Sequence, residues 1–164
     1  MRGPAARAAG ARGEFQAAGA GARRRCARNE PVFDAMWNAL WIFLGGGLGS
    51  LARWGVSGFV AERVGQTFPW GTLVVNVSGS FVIGLFATLT EPDGRWLAPA
   101  SFRQFFMLGL CGGYTTFSSF SLQTLNLARE GEWLHAGANA VLSPALCLLA
   151  VWLGHLAARA LNQT

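Results

Sequence analysis

The spacing of its charges constrains this chain more than any other feature. From Asp34 onward, charged residues only punctuate long uncharged runs: Ala35 to Ala52, Val64 to Thr90, Gln104 to Ala128 and Trp133 to Ala158. A helix needs roughly 20 mostly apolar residues to cross about 30 Å of hydrocarbon. Each run can cross once, and none is long enough to cross twice. The expected fold is therefore an all-α integral membrane protein with four transmembrane helices. The first runs from about Asp34 to Phe59, with Arg53 inside it, and a polar loop from Glu62 to Pro69 follows. The second runs from Trp70 to about Thr90 and ends in the turn Glu91-Pro92-Asp93-Gly94. The third covers about Phe102 to Leu127, and the loop Arg129 to Glu132 leads to the fourth, Trp133 to Ala160. Trp37, Trp41, Trp70, Trp96 and Trp133 fall near predicted ends, where an interfacial aromatic belt belongs.

Only 13% of the 164 residues are charged, against about a quarter in a soluble domain. All 13 basic residues are arginine, and seven of them precede residue 29, so the net charge of +5 is a property of the tail. That location argues against a nucleic-acid partner. Residues 1–33 carry Ala, Gly and Arg without apolar periodicity, the composition of a disordered extension. No apolar core of a secretory signal follows the arginines. The membrane domain is 34–164, and Met36, at the beginning of the first span, is an alternative start. Without the tail the loop charges nearly tie: Arg95, Arg103 and Arg159 on one side, Arg63 and Arg129 on the other, with Arg53 beside them. A near tie leaves orientation undecided and is compatible with insertion both ways up and pairing as an antiparallel dimer. Cys26, Cys111 and Cys147 have no metal-like spacing and are read as small apolar residues.

Polar groups inside a bilayer are expensive and so informative. The carboxylates Glu62, Glu91, Asp93, Glu130 and Glu132 are all expected outside the spans, which removes the titratable group a proton-coupled antiporter requires. His135 and His155 lie near helix ends, and the parts of a metal site or hydrolytic triad are missing; the chain does not read as an enzyme. The third span carries Gly109-Leu-Cys-Gly112-Gly113-Tyr-Thr115-Thr116-Phe117-Ser118-Ser119-Phe120-Ser121. Paired glycines beside a run of hydroxyls weaken a helix. A break at mid-membrane is tolerated only where the freed backbone lines a cavity or binds an ion. Phe117 and Phe120 share a helix face, and the positive edges of two rings can solvate a small anion without a full charge. Simple packing of the same rings, with small residues admitting close helix approach, is the reading this segment alone favours. Thr72, Asn76 and Ser80 share a face of the second span, where Asn76 acts either as interhelical glue or in a polar path. Gly45, Gly46, Gly47 and Gly49 read as close-packing positions rather than a phosphate loop, since the strand and Lys of such a loop are absent.

Three blocks together resemble the Fluc/CrcB fluoride channels: Gly45-Gly-Gly-Leu-Gly-Ser-Leu-Ala-Arg53-Trp54, then Pro69-Trp-Gly71-Thr72-Leu-Val-Val-Asn76-Val-Ser-Gly79-Ser80-Phe81, and Gly109 to Ser121. The resemblance covers about residues 36–160. It implies a dual-topology antiparallel homodimer of four-helix subunits, with the third helix broken at its centre and two fluoride pores. It further implies a structural Na+ at the dimer centre, held by the backbone carbonyls of Gly112 and Thr115 from both subunits. Phe117 and Phe120 match the family's aromatic pair along the pore, and Asn76 its pore-lining asparagine. Thr116, Ser118 and Ser119 are the hydroxyls beside that path, while Arg53 and Gln123 match vestibule positions. Ser119 replaces a frequent Thr, and Gln123 stands where many relatives carry Glu. The implied activity is passive, electrodiffusive fluoride export across a bacterial inner membrane, lowering cytoplasmic fluoride and giving fluoride resistance. A protein that merely packs its helices through glycine is the rival reading, and it leaves the order of hydroxyls, Asn76 and the Phe pair unexplained.

Overall fold

The computed structural model describes residues 32–163, and the N-terminal extension expected over 1–33 lies almost wholly outside them. The described residues form helices. Helix α1 spans Val32–Val64 and α2 Trp70–Leu89; a third span begins with α3, Ala100–Gln104. It continues through a π-helical stretch, Phe105–Cys111, and one further turn, α4, Gly112–Tyr114. After a two-residue break the chain resumes as α5, Phe117–Arg129, and ends in α6, Trp133–Asn162. Three helices are continuous, long and apolar enough to cross a membrane: the Ala35–Val64 part of α1, then α2 and α6. The third expected span is present as two half-helices.

Two boundaries differ from expectation. Helix α1 continues five residues past Phe59, so Glu62 sits in its last turn rather than in a loop. Arg63 explains the extension, since its guanidinium lies 4.8 Å from the Phe59 ring centroid and near the negative end of the helix. The third span starts at Ala100 because Pro99 supplies an extended N-cap, with ψ 148°.

Within 38–163, glycine sets the packing. Gly45 and Gly49 of α1 face the backbone of Phe105, Leu110 and Tyr114, while Gly109 and Gly113 face Ile42, Gly45 and Gly46. On the other side, Gly84 of α2 meets Val151 of α6, and Gly154 of α6 meets Phe81 and Leu85. In lipid no hydrophobic force pulls helices together, so this close approach supplies the dispersion contact that does. At one end Arg103 donates to the carbonyl and hydroxyl of Thr90, closing the last turn of α2. Arg95 donates through its backbone N–H to Asn162 and through Nη1 to the Leu161 carbonyl, tying the turn after α2 to the end of α6. Arg95, Arg103 and Arg159 therefore share an end. Asn126 and Glu130 line a cavity with Gly65 and Gln66 at the opposite end, which places Arg63 and Arg129 there.

Candidate functional site: the broken helix and its cavities

The break sits at Thr115 and Thr116, both extended, with ψ of 155° and 114°. Its edges are closed by side chains. Thr115 ends the first half by donating its N–H and hydroxyl to the Cys111 carbonyl at 2.9 and 3.0 Å. Thr116 starts the second half as an N-cap, its Oγ1 accepting from the Ser119 N–H at 3.2 Å. The hydroxyls of Ser118 and Ser119 lie 3.2 and 3.1 Å from the same oxygen.

Asn76, 9% exposed on α2, holds the break from the side. Its Oδ1 accepts from the Thr116 N–H at 2.7 Å and its Nδ2 donates to the Thr116 carbonyl at 3.0 Å. One amide thus replaces both neighbours that an extended residue has lost, and spares an unsatisfied buried backbone group. This places Asn76 as interhelical glue without withdrawing it from the cavity wall.

The same bonds free two carbonyls. In an unbroken helix the Thr116 N–H would bond the Gly112 carbonyl and the Ser119 N–H the Thr115 carbonyl. Asn76 Oδ1 and Thr116 Oγ1 take those donors. Gly112 and Thr115 are the two residues expected to offer backbone oxygens to a cation. Two hard, neutral oxygens with no helical partner are the donor type such an ion takes.

One cavity borders the break and a second lies further along α5. The first, about 280 Å³, is lined by Asn76 and Ser80 of α2, by Gly112, Thr115 and Thr116, by Phe117 and Phe120, and by Ser143 and Cys147 of α6. The second, about 330 Å³ and nearer the helix ends, is lined by Thr72 of α2 and by Gln123 and Asn126 of α5. The α2 face Thr72–Asn76–Ser80 and the α5 series Phe117, Phe120, Gln123 each run from one cavity to the other. Phe117 and Phe120 pack tilted, with centroids 5.3 Å apart. Gln123 Oε1 is buried without a hydrogen-bond partner among the described residues.

Six of the expected residues, Asn76, Gly112, Thr115, Thr116, Phe117 and Phe120, therefore meet at one cavity. Ser118 and Ser119 stand behind it on the Thr116 hydroxyl, and Gln123 lines the second. Arg53 is half-buried on α1 and lines neither cavity. Sequence reasoning missed the contribution of α6. Asn139, 2% exposed, donates to Thr124 Oγ1 at 2.8 Å and accepts from Ser143 Oγ at 2.8 Å, while Thr124 donates to the Phe120 carbonyl. This chain of bonds anchors the Phe120 turn to α6. The signal was available: Asn139 and Ser143 are one helical turn apart in an otherwise apolar span.

A family model described as CrcB-like protein, Camphor Resistance (CrcB), matches residues 40–155, which includes α2, the whole broken span and most of α1 and α6. The chain belongs to the CrcB-like family. Its relatives agree. A protein of Opitutus terrae named fluoride-specific ion channel FluC is 65% identical over 124 residues, 76% of this chain and 94% of the relative. Proteins of the same name from Rhodospirillum rubrum and Methylocella silvestris are 62% and 61% identical, again over 76% of this chain and 96% and 95% of theirs. The resemblance read from the three sequence blocks is thus a family membership, and the broken span that characterises this CrcB-like chain lies inside the matched region.

Proposed function

We infer that this protein is a fluoride-specific channel, conducting the anion passively along the α2 and α5 faces that run from one cavity to the other. The observation that carries the reading is the placement of the Phe117–Phe120 pair, Asn76 and the Ser80 hydroxyl around one cavity, with no charged side chain among the residues lining it. Fluoride holds its water tightly, and a pore must replace that water with donors. Thr72 and Ser80 have hydroxyls not spent on any hydrogen bond among the described residues, and Asn76 keeps one amide hydrogen beyond its bond to Thr116. The ring edges add weak positive potential. A neutral path of this kind lets the anion leave as well as enter, where a fixed arginine would hold it. The membrane potential, negative inside, then drives export without ATP or proton coupling.

The working unit in this reading is an antiparallel homodimer in the bacterial inner membrane. Phe117 is 77% exposed in the single chain although its neighbours line the cavity, so the aromatic path is open on one side. A second copy covers it. The same pairing brings two sets of the Gly112 and Thr115 carbonyls together around a structural Na+. When bound, that ion supplies a fixed positive charge that holds the two broken spans together; the chain's own part is the pair of caps that frees the carbonyls.

The test is fluoride efflux from liposomes read with a fluoride electrode, beside a matched chloride experiment. Fast fluoride release without chloride release is expected, and Phe117→Ile and Phe120→Ile are expected to lower it by roughly tenfold or more while the dimer persists. Normal conduction by both variants would overturn the aromatic path. No fluoride release from folded, dimeric protein would overturn the channel reading.

A further inference from the structure

The first cavity is lined by uncharged residues, but the second is not. Among the residues lining the second, Glu130 is the one charged side chain, beside Ser57, Thr72, Gln123 and Asn126. A carboxylate at the mouth of an anion route opposes the traffic it carries. Two further features have the same sign. Glu130 is the C-cap of α5, so the negative end of that helix lies at the same place. Gln123 Oε1, buried without a hydrogen-bond partner among the described residues, adds an acceptor oxygen to the lining.

No cation offsets these charges from within the cavity. Arg63 and Arg129 belong to the same end of the molecule, yet neither lines it, and the Arg63 guanidinium lies over the Phe59 ring. Glu62, in the last turn of α1, and Glu132, paired with His135 at 3.1 Å, are outside the lining as well. Glu130 itself is exposed and makes no ion pair among the described residues.

We propose that Glu130 is a rate-setting residue of the channel: its charge lowers the fluoride concentration in the second cavity and so limits how fast the anion reaches Phe120 and Phe117. It acts through its field and touches nothing that passes. In water-like surroundings a unit charge about 8 Å away changes the local concentration of a monovalent anion by about twofold to threefold. The effect is set by ionic strength, because the screening length is about 30 Å at 0.01 M and about 3 Å at 1 M. This inference rests on the channel reading above.

The full-length parent and the variants Glu130→Gln, Glu130→Asp and Glu91→Gln are compared in liposomes loaded with about 10 mM potassium fluoride, with valinomycin in excess. Initial efflux is read with a fluoride electrode at low salt, and again with about 1 M potassium gluconate on both sides. Glu130→Gln is expected to release fluoride about twofold to threefold faster than the parent at low salt, and at the parent rate at high salt. Glu130→Asp keeps the charge and should match the parent in both. Glu91→Gln makes the same change of net charge in the turn after α2, away from this cavity, and should match the parent too. An unchanged rate in Glu130→Gln at low salt, a rise that survives high salt, or an equal rise in Glu130→Asp or Glu91→Gln would each overturn the proposal. Absence of efflux from folded, dimeric parent would instead sink the channel reading, and this inference with it.

Discussion

At the scale of single residues, Asn76 concentrates the most structure in one side chain. Its amide meets the Thr116 backbone twice, at 2.7 and 3.0 Å, in a buried setting. Asn76→Ala leaves a buried N–H and C=O without partners, and each such loss costs about 1–3 kcal/mol. The variant should therefore unfold several degrees earlier in detergent and lose fluoride efflux. Asn76→Asp keeps one acceptor for the Thr116 N–H but loses the donor to its carbonyl, and should also place a charge where an anion passes. Efflux near the parent level in both variants would show that the staple is dispensable. Thr116 has a comparable place, since one hydroxyl caps α5 and collects Ser118 and Ser119. Those two serines are tied to the break through the Thr116 hydroxyl.

At the scale of elements, the two faces of α1 separate packing glycines from neutral ones. A Cβ on Gly49 would meet the backbone of Leu110, Gly113 and Tyr114, whereas one on Gly47 would meet nothing within 4 Å. Backbone cannot swing aside as a flexible side chain can. Gly49→Ala should cost about 1–3 kcal/mol as overpacking, read as a lowered melting temperature and a loss of monodisperse protein in detergent. Gly47→Ala should be neutral or slightly stabilising, because alanine favours the helix by about 1 kcal/mol over glycine. Equal melting temperatures for the two variants would remove the argument that α1 and the third span pack through glycine. The π-helical stretch belongs at this scale too. Gly109 lies within it and Gly113 just beyond, and both present a face to α1 immediately before the break. Nothing in the residue types from Phe105 to Cys111 announced that widening.

At the scale of the whole molecule, the helix-end arginines among the described residues divide almost evenly between the two ends. Arg95, Arg103 and Arg159 gather where α2 and α6 terminate, and Arg63 and Arg129 lie at the opposite end. A chain started at Met36 is expected to insert in both orientations at about equal frequency, because loop arginines set direction and these nearly cancel. A tag at residue 163, tested for protease access in sealed vesicles, checks this. Protection of nearly all copies, or of almost none, would contradict antiparallel pairing within one gene product. The Phe117 ring, 77% exposed in the single chain, is the part of the aromatic pair that the proposed second copy is expected to cover.

Much of this protein was legible in its sequence because a membrane imposes simple rules. Uninterrupted apolar length determined the spans, and glycine beside hydroxyls determined where the third one fails, since both follow from backbone hydrogen bonding in a medium without water. Asn76 could likewise be singled out as a polar group at mid-membrane, whereas the Phe pair stood out from simple packing only through the resemblance to the family. The sequence alone could not decide between glue and pore for Asn76, because that depends on which backbone group another helix presents. Nor could it bring Asn139 and Ser143 to the back of the Phe120 turn, or bring two cysteines 36 positions apart to one cavity. Those juxtapositions join helices distant in the chain. They exist because glycine lets α1, α2 and α6 approach closely enough to enclose a broken helix, and only the packed structure decides which side chains then meet.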